Sequence, residues 1–253
     1  MCASCEASLA PTAGTILGET NIAATDWLQL CWELTSRPSG VSTTTARSLL
    51  GLSFDSTWRL LHKLRRAMAA ADAQLLPMRG PVEVDEVFLG GRHPGVPGRG
   101  ALGKEMLLVI VGRAATRGKV LIRRIPSASG RVILPVIVDA VVPGATVVTD
   151  GMAAYGALPG LGYQHRRFPV ARLGVPAHFV LPAVHSVAAQ FKRTWLGTWG
   201  GGVGLSQLDW YAAEFAFRFN RRHYKYRGRA FYDLVEAALG QPYRTGASIT
   251  RGR

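Results

Sequence analysis

The chain has 253 residues, 48% of them apolar, enough for one large domain, or a domain with a smaller appendage, and too many for wholesale disorder. With 30 Lys and Arg against 16 Asp and Glu, the net charge is +14 and the pI near 10.5, so the simplest partner is a polyanion such as nucleic acid. Export and membrane insertion are not expected: MCASCEASLA lacks a basic start with an apolar core, and MLLVIV at 106–111 is strand-length. Three cysteines without an export signal make a disulfide framework unexpected and a cytoplasmic location the natural one.

Residues 1–20 read as irregular or strand-like, with turn residues Pro11, Gly14 and Gly18. Cys2 and Cys5 form a CxxC, half of a zinc-ribbon site. Structural zinc needs four ligands, and the remaining Cys31 falls on an apolar helix face, so a bound Zn²⁺ is not expected. From Asn21 to about Met68 the pattern is helical. TDWLQLCWELTS places Trp27, Leu30, Cys31 and Leu34 on one face, with Thr25 or Asp26 as N-cap. Ser42 can cap STTTARSLL, Gly51 makes a turn, and Ser53 can cap FDSTWRLLHKLRRAM. Helix, short glycine turn and second helix follow the layout of a helix-turn-helix. Its last helix ends in HKLRR, so Arg59, His62, Lys63, Arg65 and Arg66 form a basic cluster expected to face DNA.

Pro77 to Pro81 reads as a linker. Beyond it strands alternate with helices: PVEVDEVFLGG, MLLVIVGRA and KVLIRRIP as strands, and RVILPVIVDAVV as helical or mixed. ATVVTDG is then a strand, MAAYGAL a short helix and YQHRRF a strand, before a helix at about 184–196. This order gives an α/β or mixed-sheet domain. In EFAFRFNRRHYKYRGR, Tyr211, Phe215 and Phe219 share one helix face and are expected in the core. The basic residues beyond, including Arg221, Arg222 and Lys225, read as a DNA-facing patch.

Acids are sparse, so their positions are informative. Asp85 lies within the apolar strand VEVDEVF, where alternation puts Glu83 and Asp85 on one face and Glu86 opposite. Asp150 ends the strand VVTDG. Ligand and catalytic groups gather at strand ends of open sheets, and two carboxylates brought together there call for a hard divalent cation. His185 follows Asp150 by 35 positions and precedes Lys192 by seven, two helical turns that put both on one face. The face offers a third metal ligand and a cation for phosphate, the arrangement of two-metal polynucleotidyl transferases. Glu214 is the rival third carboxylate. His165 and His178, in a basic irregular stretch, read as phosphate contacts or exposed side chains.

VEVDEVFLGGR, VVTDGMAAYGAL, LPAVHSVAAQFKRTWLGT and EFAFRFNRR occur in that order across 82–222. With these words the chain resembles bacterial insertion-sequence transposases of the DDE superfamily, in the ISXO-type group. That group's signature ends in Lys and takes Glu, Asn or His as third ligand. The resemblance implies an RNase H-like, retroviral-integrase-like catalytic domain: a mixed α/β sheet flanked by helices. It also implies Mg²⁺- or Mn²⁺-dependent DNA strand cleavage and transfer at element ends.

Carried over by position, Asp85 and Asp150 are the two acids, His185 the third metal ligand and Lys192 the paired base; Lys192 and Arg193 would also contact DNA. The implied partners are double-stranded DNA, as terminal inverted repeats and target, and further copies in a dimer or larger synaptic complex, in the bacterial nucleoid. The expected organisation is a partial zinc-ribbon-like segment at 1–20, a helix-turn-helix domain at 21–76, the catalytic domain at 77–240 and a basic tail at 241–253. The group commonly has another CxxC upstream, so the chain is expected to begin inside a ribbon. A metal-dependent nuclease on the same fold, or a catalytically silent DNA-binding regulator, are the alternatives.

Overall fold

The computed structural model describes residues 10, 12–18, 20–90, 104–113, 118–169, 174, 177–201, 204–245 and 248–249. Cys2, Cys5, most of the glycine-rich loop after the first strand, and the end of the tail lie outside them. The order is α1 (Ala24–Ser36), α2 (Thr43–Leu50), α3 (Phe54–Ala73), β1 (Val82–Leu89), β2 (Glu105–Gly112), β3 (Val120–Ile125), α4 (Gly130–Ala140), β4 (Thr146–Thr149), β5 (Gln164–Arg167), α5 (Ala177–Val180), α6 (Pro182–Gly197), α7 (Leu208–Asn220) and α8 (Arg227–Leu239). MAAYGAL forms a 3₁₀ turn over Ala153–Tyr155.

Five strands form one sheet in the order β3-β2-β1-β4-β5, with β1, β2 and β3 antiparallel and β1, β4 and β5 parallel. The β2–β3 register runs from Met106 opposite Ile125 to Val111 opposite Val120. Alternation within each strand feeds two cores. Val87, Leu89, Leu107 and Val109 meet Val187 and Phe191 of α6 and Tyr211 and Phe215 of α7. Val82, Val84, Leu108 and Ile110 meet Ile133 and Ile137 of α4 and Tyr155. This mixed α/β architecture, with helices on both faces, is compatible with an RNase H-like fold.

A third core joins α1, α2 and α3 to α8 and to Phe217 of α7. Trp27, Leu30, Cys31 and Leu34 enter it as the apolar face of α1 predicts. Ser42 and Ser53 cap α2 and α3 through the amides of Thr45 and Ser56, and Gly51 takes the left-handed conformation that ends α2 (φ 67°). The cap expected at Thr25 or Asp26 is not made. Both lie inside α1, which begins after Ala23 without a side-chain cap. The Pro77–Pro81 stretch is tied to the fold: Met78 is buried and bonds through its backbone to Ala140 and Val142.

The two ends of the described chain meet. Thr15 bridges Pro242, the Tyr243 N–H donates to Gly14, and Ile16 and Ile249 are fully buried. Among the described residues no helix is long and apolar enough to cross a membrane.

Candidate active site

Odd-numbered residues of β1 face α6 and even-numbered ones face α4, so Glu83 and Asp85 point to one layer and Glu86 to the other. Glu83 is buried, and its carboxylate accepts the Val184 N–H in the first turn of α6 at 3.0 Å. An acid there satisfies an amide without an intrahelical partner and meets the positive end of the helix dipole. Arg113 closes the other side of the same carboxylate at 3.0 Å.

This clamp seats α6 on β1 and brings His185, the next residue, to 3.7 Å from Asp85, Nε2 to Oδ2. Burial, helped by His178 and Lys192, holds the imidazole below its ordinary pKa, so it is neutral at neutral pH. The contact with Asp85 is therefore not an ion pair, and 3.7 Å is too long for a hydrogen bond. The Nε2 atom is buried and makes no hydrogen bond.

Asp150 directly follows β4. Val82 lies opposite Val147 and Glu83 opposite Val148, and the parallel register continued by two residues sets Asp150 beside Asp85. The Asp150 carboxylate accepts the Met152 N–H at 3.0 Å, a turn across Gly151 at φ 84°. A side chain on Gly151 would be strained and crowded, since its Cβ would meet Pro169 at 3.3 Å. Tyr155 hydrogen-bonds Glu86, and its pKa is pushed far up by burial, by Glu86 and also by Asp85 and Asp150. One phenol thus lies near three carboxylates, Asp85 and Glu86 within β1 and Asp150 just past β4. Lys192 and Arg193 are exposed farther along α6, with Lys192 on the His185 face.

Four expected DNA contacts are not on the surface, because α3 lies against α7 and α8. Arg65 is fully buried, 2.8 Å from Glu214 and stacked on Tyr211. His62 is buried between Trp58 and Tyr211. Arg66 donates to the carbonyls of Ser248 and Ile249. Arg221 is held by Asp72 and Asp233. Of the remaining set, Arg59, Arg222 and Lys225 are exposed, and the Lys63 ammonium lies 5.7 Å from the rings of Trp27 and Tyr243.

Glu214 is paired with Arg65 and Arg218, so it serves the core and not the site. His165 contacts the Thr149 hydroxyl at 2.9 Å, while His178 is exposed beside Phe179. Sequence reasoning missed Glu83 as the anchor of α6. The available signal was an acid two residues before Asp85 on the same strand face.

The family model of the ISXO2-like transposase domain matches residues 77–220, a segment that contains Asp85, Asp150, His185 and Lys192. The chain belongs to this family. Among curated proteins none matches it. Transposases of the DDE superfamily generally use divalent metal. Among the described residues no three His, Cys, Asp or Glu side chains stand close enough together to hold an ion. The donors are nonetheless suited in kind: two carboxylates on adjacent strands, Asp85 within β1 and Asp150 just past β4, and a neutral imidazole whose buried Nε2 lacks a hydrogen bond. Asp85, Asp150 and His185 are the residues that could hold such an ion.

Proposed function

We propose that the protein is a transposase that cleaves DNA at the ends of an insertion sequence and joins those ends to target DNA. The observation that carries this reading is the approach of His185 on α6 to Asp85 on β1, 3.7 Å apart, beside the parallel strand β4 that leads into Asp150, within a transposase-family chain. Mg²⁺ or Mn²⁺, when bound, activates the attacking water or 3′-hydroxyl and stabilises charge at phosphorus.

The chain's own groups do the rest. Asp85 and Asp150 supply the negative charge that attracts the ion. His185, as neutral imidazole, makes the site one charge less negative than a three-carboxylate set. Lys192 and Arg193 take phosphate oxygens beside it. The helices α1–α3 act as the helix-turn-helix module, with Arg59 and Lys63 on DNA, while Arg222 and Lys225 extend the basic surface. Cutting and joining two ends calls for a dimer or larger synaptic assembly.

With Mg²⁺ or Mn²⁺, purified protein is expected to cut and join DNA carrying the element's terminal inverted repeats. Asp85→Asn and Asp150→Asn should each lower both steps more than ~100-fold, beyond the usual loss of a ligand's mere supporting partner. Full activity in either variant would sink the assignment. Cutting without joining marks a nuclease, and binding without metal-dependent cutting a regulator. His185→Glu should tighten Mg²⁺ dependence, and His185→Ala should weaken catalysis more than DNA binding. Identical metal titrations for wild type and both variants would make His185 structural.

A further inference from the structure

Besides the face that carries His185 and Lys192, α6 has a second polar flank. Ser186 and Gln190 lie roughly a third of a turn or more around the helix axis from His185. There they wall a hollow of about 410 Å³, whose far side includes Arg113 and, near the end of α7, Phe219 and Arg222. A neighbouring hollow of about 310 Å³ shares Gln190, Phe219 and Arg222 and runs on to Arg37 and Arg227. The shared walls make the two one trough across α6 and α7.

Its charge is lopsided. Among the described residues Glu83 is the one carboxylate that lines it, and Glu83 is already paired with Arg113. Arg37 and Arg218 are likewise paired, with Glu33 and Glu214. Arg222 and Arg227 differ: Arg222 donates to the carbonyls of Gly118 and Phe219, and Arg227 to that of Ser36. Among the described residues no carboxylate forms an ion pair with either. Arg222 lies 3.7 Å from the Phe219 ring centroid, and the partial desolvation of its guanidinium holds its pKa below the ordinary value. Two uncompensated arginines in one trough suit an anion with repeated charges.

We propose that this trough is a second DNA-backbone track, on the Ser186–Gln190 flank of α6, where Arg222 and Arg227 pair with phosphates of one strand of a duplex and Gln190 abuts the backbone between them. The proposal rests on the transposase reading and adds to it a place for DNA other than the strand being cut. Phosphate contacts of this kind position DNA without reading its sequence.

The experiment is fluorescence anisotropy over a salt series. It uses two labelled duplexes of equal length, one bearing the terminal repeat and one of unrelated sequence. Gln190→Glu and Arg227→Glu, both at solvent-reached positions, are compared with wild type, and thermal melting checks their folding. Both variants should bind both duplexes more weakly and to the same degree. Arg227→Ala should reduce the slope of log affinity against log salt by about 0.9. Unchanged affinity and slope, or a loss confined to the terminal-repeat duplex, would overturn the proposal. If the variants match a wild type that binds and cuts, the trough alone is refuted. A wild type that binds neither duplex refutes the transposase reading as well.

Discussion

His62 sits with its ring centroid 4.0 Å from Trp58 and 5.4 Å from Tyr211, and neither ring nitrogen makes a hydrogen bond. Burial first, then the charges of Arg65 and Arg66, lower its pKa to about 2. The folded state therefore stays neutral where an unfolded histidine, titrating near 6.5, takes up a proton. Below that pH the unfolded state binds more protons, so stability falls as pH falls. Between pH 7 and 5 the loss from this one group is about 2 kcal/mol. Denaturant melts at the two pH values should show it, and His62→Phe should remove that share.

Glu214 is held between Arg65 and Arg218 with no exposure. Glu214→Leu leaves two guanidinium groups inside without their acid and should cost about 3–5 kcal/mol in the same melts. The basic run HKLRR is plain in the sequence. Which of its members point inward is not, because both flanks of α3 are covered by helices more than a hundred residues away.

At the scale of elements, local chemistry was legible where it acts over three or four residues. Ser42, Ser53 and Gly51 do what their types suggest, and β1 alternates as VEVDEVF requires. Of the expected face, Tyr211 and Phe215 pack on the sheet while Phe219 is only partly buried, and Phe217 enters a different core, so α7 is covered on two sides. That double burial is what places Glu214 out of reach of the carboxylates.

Asn220, at the end of α7, shows a long-range link no periodicity reveals. Its side chain accepts the Val120 N–H at 2.7 Å and donates to the Val120 carbonyl and to Asp72. It satisfies both backbone groups of Val120 at the free edge of β3, as a residue of another strand would. Asn220→Ala leaves a buried amide unsatisfied and should destabilise by at least about 2 kcal/mol, read from the midpoint of urea unfolding.

For the whole molecule, the strand–helix order carried the architecture in the sequence, and the spacing of Asp85, Asp150 and His185 pointed to the candidate site. The positioning of α6 did not, since Glu83, Val184 and Arg113 are brought together only by the sheet. The union of α1–α3 with α7 and α8 was equally hidden, because it is made between segments about 150 residues apart, Arg65 with Glu214 and Asp72 with Arg221.

That union makes α3 a ruler. The helix is 20 residues long, about 30 Å, with Arg59 exposed near its start and its far half wedged against α7, which itself rests on the sheet. If the protein acts as proposed, DNA gripped at the tip of such a helix would meet the carboxylates at a set distance and a set rotation, where a hinged reader would allow slack. Inserting 5 base pairs, about half a duplex turn, between the terminal repeat and the cut should abolish cleavage at the original phosphate while binding persists. Ten or eleven inserted pairs, about one full turn, would restore the rotation but not the distance. Mapping the cut sites on such spaced substrates reads, in base pairs, the span between that grip and the carboxylates.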